Sequence, residues 1–122
     1  MLAARTPDGL YTFPLTIAFK GPIKKLTGLV DTGSNICVCT YKIPTTLKAR
    51  ATSFGPISSA VSTKTVQAFG YSLNVGFDGK SVMTHVYRLP LNMPGIDFIL
   101  GMPILSKCNT TIKADCMEIE WI

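Results

Sequence analysis

Leu15, Ile17 and Phe19 alternate with polar or small neighbours, the period-two pattern of a half-buried strand. Lys20-Gly21-Pro22 breaks the pattern as a turn, and Leu26 to Val30 brings the chain back as a second strand. Asn35 to Cys39 resumes an extended apolar stretch. Residues 44–56 are rich in Thr, Ser, Pro and Ala, close on Phe54-Gly55-Pro56, and read as a connection with little core. Ile57 to Val61 and Thr65 to Phe69 flank the polar Ser62-Thr63-Lys64, which predicts an exposed hairpin. Leu73, Val75 and Phe77 alternate, Asp78-Gly79 supplies a strong two-residue hairpin turn, and Val82, Thr84 and Val86 alternate back. Pro94-Gly95 is a further turn, after which Ile96 to Gly101 forms a short apolar strand. Pro103 to Cys108 suits one or two helical turns opened by proline. Met117 to Ile122 alternates cleanly as a last strand. Nothing else has a helical pattern, so the chain is predicted to be mostly β, with residues 1–10 a flexible N-terminal segment.

Composition narrows this picture. A chain of 122 residues makes one domain with a real core and is too short for two lobes. Hydrophobic residues make up 47% against 16% charged, and the mean hydropathy is +0.32, an apolar surplus that points to surface covered by a partner. No apolar run approaches the roughly 20 residues that cross a bilayer, and Met1 to Arg5 holds no signal-peptide core. The net charge of +5 is scattered, with no basic stripe interleaved with aromatics, so neither a membrane nor a nucleic-acid partner is expected. The cysteines are Cys37, Cys39, Cys108 and Cys116; C-x-C is not a zinc-knuckle spacing, and His85 is the only histidine. Reduced thiols packing as small hydrophobes are expected, with no metal and no cofactor.

The chemistry concentrates in Leu29-Val30-Asp31-Thr32-Gly33-Ser34. A carboxylate directly behind an apolar strand is costly to bury unless it is hydrogen-bonded or functional. Thr32 and Ser34 place short hydroxyls beside it, and Gly33 permits a sharp turn. An ordinary Asx-type turn at a strand end accounts for the same residues, and the stretch alone leaves both readings open.

Apolar-apolar-Asp-Thr-Gly-Ser, then a hairpin, then Ile99-Leu100-Gly101 before a short helix resembles the retropepsin family of aspartic proteases. Gly95 to Met102 is similar to the G-x-D-x-I-L-G-M stretch of gypsy-class retrotransposon proteases and of the plant pararetrovirus, caulimovirus-type enzymes. Ile104-Leu105-Ser106, Ile112 to Cys116, Tyr41 to Pro44 and Gly55-Pro56-Ile57 extend the likeness, which runs from about Leu15 to Ile122. Ser34 stands where retroviral enzymes usually carry Ala, and Ser is common there in the cellular relatives. Asn35 and Met102 replace an acid and an arginine that pair in retroviral enzymes; both have changed together, so no unpaired charge remains, and a weaker dimer is expected. Ser62-Thr63-Lys64 lacks the glycines usual at a flap tip.

The resemblance implies an all-β, closed, barrel-like acid-protease fold over residues 1–122, with one short C-terminal α-helix, one D-T-G loop and a flap hairpin. It implies Asp31 as the catalytic acid, Thr32 locking the two loops across a twofold axis, and Gly33 offering its carbonyl to substrate. Ile99, Leu100 and Gly101 would support the loop from below. Leu29, Ser34, Asn35, Val38, Ile99 and the flap residues Val61, Ser62 and Thr63 would contact an extended peptide. Two carboxylates sharing a proton can activate water and protonate an amide. Asp78-Gly79 and Asp8-Gly9 lack the hydroxyl and the apolar lead-in, and Asp97 and Asp115 lack the following glycine, so a second copy must supply the other carboxylate. The expected function is a homodimeric aspartic endopeptidase, released from and cleaving a viral or retroelement polyprotein in the host-cell cytoplasm or the virus particle. A catalytically silent dimerisation or peptide-binding domain of the same fold is the alternative, and a small basic RNA-binding module a third reading. Met117 to Ile122 either joins the partner's terminus in a shared sheet or pairs within its own chain.

Overall fold

The computed structural model describes residues 1–58 and 65–122. In chain order the strands are β1 (Leu2–Arg5), β2 (Tyr11–Ala18), β3 (Lys24–Val30) and β4 (Cys37–Cys39), then helix α1 (Lys42–Thr46). There follow β5 (Ser53–Ser58), β6 (Thr65–Phe77), β7 (Lys80–Arg88), β8 (Phe98–Leu100), α2 (Met102–Leu105), β9 (Cys108–Ile112) and β10 (Cys116–Trp121). Strands β6, β7, β4, β8, β3 and β2 pair in that order, and a second pairing of β6 with β2 closes them into a six-stranded barrel. β5 extends the sheet beyond β6, and β1, β10 and β9 extend it beyond β2.

Alternation in the sequence becomes burial in the barrel. Phe13, Leu15 and Ile17 of β2 meet Leu73, Val75 and Phe77 of β6, Val86 of β7, and Phe98 and Leu100 of β8 in one core. The predicted hairpin is present in register, with Leu73 opposite Thr84 and Phe77 opposite Lys80. Asp78 and Gly79 take φ of 51° and 74°, the paired left-handed residues that match the twist of two antiparallel strands. Phe77 stacks on Trp121 with ring centroids 4.4 Å apart, and the indole N–H donates to the Phe77 carbonyl at 3.0 Å. That contact fastens the terminal sheet to the barrel.

Two expectations change, and one of two open alternatives is seen. Among the described residues there are two short helices rather than one: α1 falls in the stretch expected to contribute little core, yet Ile43 and Pro44 are buried. One turn is too short for a hydrophobic period to show, and a proline in a first helical turn breaks no hydrogen bond. Residues 1–10, expected to be flexible, supply β1, whose Ala3 is buried and pairs with Met117. The strand at Met117 to Ile122 pairs within its own chain on both sides, with β1 and with β9. Neither β1 nor β9 shows alternation in the sequence because β1 buries only Ala3 and β9 buries nothing.

The arms of the expected flap are β5 and β6, paired from Ser53 opposite Gly70 to Ser58 opposite Thr65. Val61, Ser62 and Thr63 lie outside the described residues. At the base of these arms the Arg88 guanidinium sits 5.1 Å from the Tyr41 ring and 5.3 Å from the Phe69 ring, while Phe54 packs on Phe69.

Candidate active site

Asp31 leaves the barrel at the end of β3, where the Asp31 N–H donates to the Leu100 carbonyl of β8 at 3.0 Å. The apolar lead-in Leu29-Val30 is thus held by parallel pairing, Leu29 opposite Ile99 and Val30 opposite Leu100. The chain then turns sharply. The Gly33 N–H donates to the Asp31 carboxylate Oδ1 at 3.0 Å, and the Ser34 N–H donates to the Asp31 carbonyl at 3.2 Å. This is the geometry of an Asx-type turn, so both sequence readings of the stretch describe the same loop. Asp31 is half-buried, while Thr32, Gly33 and Asn35 are exposed.

Support comes from beneath. The Ser34 hydroxyl donates to the Ile36 carbonyl at 2.7 Å, and the Ser34 carbonyl accepts the Met102 N–H at 2.8 Å. Gly101, whose carbonyl accepts the Ile104 and Leu105 N–H groups that open α2, lies directly against the loop. A Cβ there would fall inside contact with the Ile36 carbonyl oxygen and 2.8 Å from the Ser34 carbonyl oxygen. Glycine is required because backbone meets backbone. Ser34 and Ile36 therefore act as struts of the loop, a role that sequence reasoning missed because the Ser34–Met102 contact spans most of the chain.

The register of β3, β8 and β4 puts Leu29, Ile99 and Val38 side by side in one row across three strands. Neighbouring residues Cys37, Cys39, Phe98 and Leu100 point into the main core, whereas Leu29, Val38 and Ile99 are not part of it. Because side chains alternate across a strand, this row lines the opposite face, the one that Leu29 presents two residues before Asp31. Leu29 and Val38 are 7% and 4% exposed, so the row is a sheltered apolar wall rather than a surface patch.

Burial disfavours ionisation of the thiols beside the site. Burial pushes Cys37 up, against opposing hydrogen bonds from the backbone at Gly101 and Ile104. Burial pushes Cys39 up from 9.0 to about 12, with the nearby Arg88 charge pulling the other way. A raised thiol value stabilises the fold fully below pH 9.0, and that stabilisation fades as the pH climbs toward about 12. Iodoacetamide at pH 8 is expected to leave both thiols intact in the folded protein and to alkylate them in denaturant, as read by mass spectrometry. Raising the pH from 8 to 10.5 is expected to lower the thermal midpoint, and by less in a Cys39→Val variant.

The model of the family described as retroviral aspartyl protease matches residues 9–113, most of the chain and both segments of this site. No curated protein matches. Among solved structures, a retropepsin-like aspartic protease from Rickettsia conorii superposes with a TM-score of 0.73 at 18% identity, covering 99% of this chain and 89% of that one. The EIAV protease complexed with the inhibitor HBY-793 gives 0.64 at 21% identity, covering 83% and 89%. The retroviral protease-like domain of Ddi1 from Leishmania major gives 0.53 at 11% identity, covering 91% and 94%. At these identities the structures speak for the fold, which is the closed barrel described above, and the sequence model speaks for the lineage. The chain belongs to the retroviral aspartyl protease family.

Proposed function

We propose that the chain is a homodimeric aspartic endopeptidase that cleaves a viral or retroelement polyprotein. The observation that carries this reading is an intact D-T-G loop, braced from below by Gly101 and Met102, that presents one half-exposed carboxylate beside an apolar wall. One carboxylate cannot both take a proton from water and supply one to the substrate. Asp31 from each of two copies can, with one ionised and accepting the proton of the attacking water, the other protonated and donating to the amide carbonyl oxygen. The pair would titrate as a unit.

The remaining residues take their roles from position. The Gly33 N–H holds one Asp31 oxygen in place, so the carboxylate is oriented before substrate arrives. Thr32 is exposed at the turn, where its hydroxyl is free to reach the second loop. Leu29, Val38 and Ile99 would receive apolar side chains flanking the scissile bond. The Gly33 carbonyl, Ser34 and Asn35 would hold the extended peptide, and the segment containing Val61, Ser62 and Thr63 would close over it as a flap. The stretch Gly95 to Met102 favours a plant pararetrovirus or gypsy-class element as the source, which would place the enzyme in the host-cell cytoplasm or the virus particle.

The test is cleavage of a peptide with apolar residues on both sides of the cut, measured across a range of protein concentrations. Below the dimer dissociation constant the rate should rise with the square of protein concentration. A peptide mimic with a hydroxyl in place of the scissile amide should bind at least about 100-fold tighter than the substrate. A rate linear in protein at every concentration and indifferent to such a mimic would sink the assignment.

A further inference from the structure

Arg88 closes β7, and its neighbours in register decide which way it faces. Where β4 pairs with β7, Val38 lies opposite Tyr87 and Cys39 opposite Arg88. Cys39 belongs to the main core and Val38 to the wall near Asp31, so Arg88 stands on the core face, turned away from the site described above. Phe69 of β6 shares a face with core-facing Tyr71 and pairs with Phe54 of β5, so this face runs on past the end of the core. There its rings are left open: Tyr41, Phe54 and Phe69 are 52%, 60% and 40% exposed.

The arginine held among these rings has no anion. Its guanidinium lies 5.1 Å from the Tyr41 ring and 5.3 Å from the Phe69 ring, and its Nε is buried without a hydrogen-bond partner among the described residues. The ion pairs among the described residues lie elsewhere, between the N-terminal ammonium and Asp78 and between Lys113 and Glu118. Asp97, just before β8, turns its carboxylate to the Thr27 N–H at 3.3 Å. A guanidinium carries five N–H donors in a planar fork, and a buried donor with no acceptor is unfavourable. Beside it opens a cavity of about 240 Å³ lined by Tyr41, Phe54, Gln67, Ala68, Phe69 and Arg88. Small-molecule pockets span roughly 300–1,000 Å³, so this one has room for a single side chain.

We propose that this cradle binds the carboxylate of an acidic side chain on a partner peptide, in a site separate from the Asp31 cleft. A carboxylate presents two acceptors in the spacing of the guanidinium fork and brings the charge that Arg88 lacks. Aromatic rings around an arginine are also the composition of an interface anchor, where a few such residues carry most of the binding energy. Apolar residues flanking the acid would cover the rings of Tyr41, Phe54 and Phe69. A free small carboxylate satisfies the fork but leaves those rings bare. Phe54 and Phe69 stand on the arms of the expected flap, Tyr41 and Arg88 on the barrel, so an occupant ties one to the other. Binding there needs neither catalysis nor a dimer.

The test reads the cradle directly. The chain has three arginines, Arg5, Arg50 and Arg88, each with its own Nε–H signal by NMR. Acetyl-Leu-Glu-Leu-amide should move the Arg88 signal to saturation and leave those of Arg5 and Arg50 in place. Acetyl-Leu-Gln-Leu-amide and succinate should each bind at least about tenfold more weakly, the first for want of charge and the second for want of apolar contact. Succinate binding as tightly as the Glu peptide keeps the carboxylate site and overturns the peptide occupant. Three signals that drift together without saturating, or a Gln peptide that binds as well as the Glu peptide, overturn the site itself. Arg88→Lys keeps the charge and loses the fork, so its affinity, followed at the Tyr41 and Phe69 amides, should fall about tenfold. Phe54→Ala alters an exposed ring and tests the cradle even where Arg88→Lys folds poorly; undiminished affinity in that variant counts against the aromatic anchor. Peptide cleavage plays no part in these measurements, so their failure leaves the protease reading untouched.

Discussion

Asp31→Asn is expected to abolish peptide cleavage while leaving the fold and the dimer in place. The amide keeps an oxygen at the position of the carboxylate, so the Gly33 N–H that now donates to Oδ1 at 3.0 Å retains its acceptor. The loop's other bonds, from Asp31 to Leu100 and from Ser34 to Asp31, are main-chain and do not depend on the side chain. The site is half-exposed, so the change in stability should stay within about 0.5 kcal/mol. Chemistry has no such reserve. An amide neither accepts the proton of an attacking water nor shares one with a facing carboxylate, and a symmetric dimer loses both members of the pair at once. General acid and base catalysis each contribute about 100- to 10,000-fold, so a loss of at least about 1,000-fold in kcat is expected. Peptide binding should survive, because the apolar wall is untouched; titration of a labelled substrate into the variant separates the two effects. Cleavage by Asp31→Asn at more than a few per cent of the wild-type rate would exclude Asp31 as the catalytic acid.

The parts of this protein that were legible in its sequence are those in which one residue's neighbours settle its fate. Leu73, Val75 and Phe77 alternate because one face of β6 is buried, and Asp78-Gly79 turns back because both residues accept positive φ. The loop at Asp31 was legible as candidate chemistry, an acid between an apolar strand and a run of hydroxyl and glycine. What stayed hidden depends on contacts between distant segments. The resemblance named Leu29, Ile99 and Val38, but the row they form exists only because β8 pairs in parallel with β3 and antiparallel with β4. Nothing local in β8 announces either register. β9 has no strand pattern of its own because its pairing comes from β10 alone, and α1 is buried by the barrel rather than by any period of its own. The thiols were legible too: Cys37 and Cys39, expected to pack as small hydrophobes, are buried in the core, and that burial pushes both thiols up.

The second large effect is expected at a residue with no chemistry. Gly101→Ala adds one methyl group where three segments meet: the end of β8, the start of α2 and the loop from Ser34 to Ile36. Its nearest neighbours are main-chain atoms, the Ile36 carbonyl oxygen and carbon and the Ser34 carbonyl oxygen, so no side chain can rotate aside. Either the loop lifts or β8 and α2 sink into a core already filled by Leu100, Ile104 and Cys37. Overpacking of this kind costs about 1–3 kcal/mol, and here the upper end applies because the obstacle is backbone. That is a lowering of the thermal midpoint by roughly 10 °C or more for a domain of this size. Activity should fall further than stability does. Moving Ser34 away from the Met102 N–H tilts the turn that aims Asp31, and a displacement of about 1 Å in a catalytic group is enough to lose about 100-fold in rate. Gly55→Ala is the control, since a Cβ at Gly55 meets nothing within 4 Å and should change neither quantity. If Gly101→Ala melts and cleaves as the wild type does, the loop is not braced from below, and the link drawn between Ile99-Leu100-Gly101 and the aim of Asp31 is wrong. If stability alone falls while kcat at saturating substrate is kept, Gly101 holds the barrel together without positioning the acid. The expected result is that both fall, with the loss in kcat exceeding what the folded fraction explains.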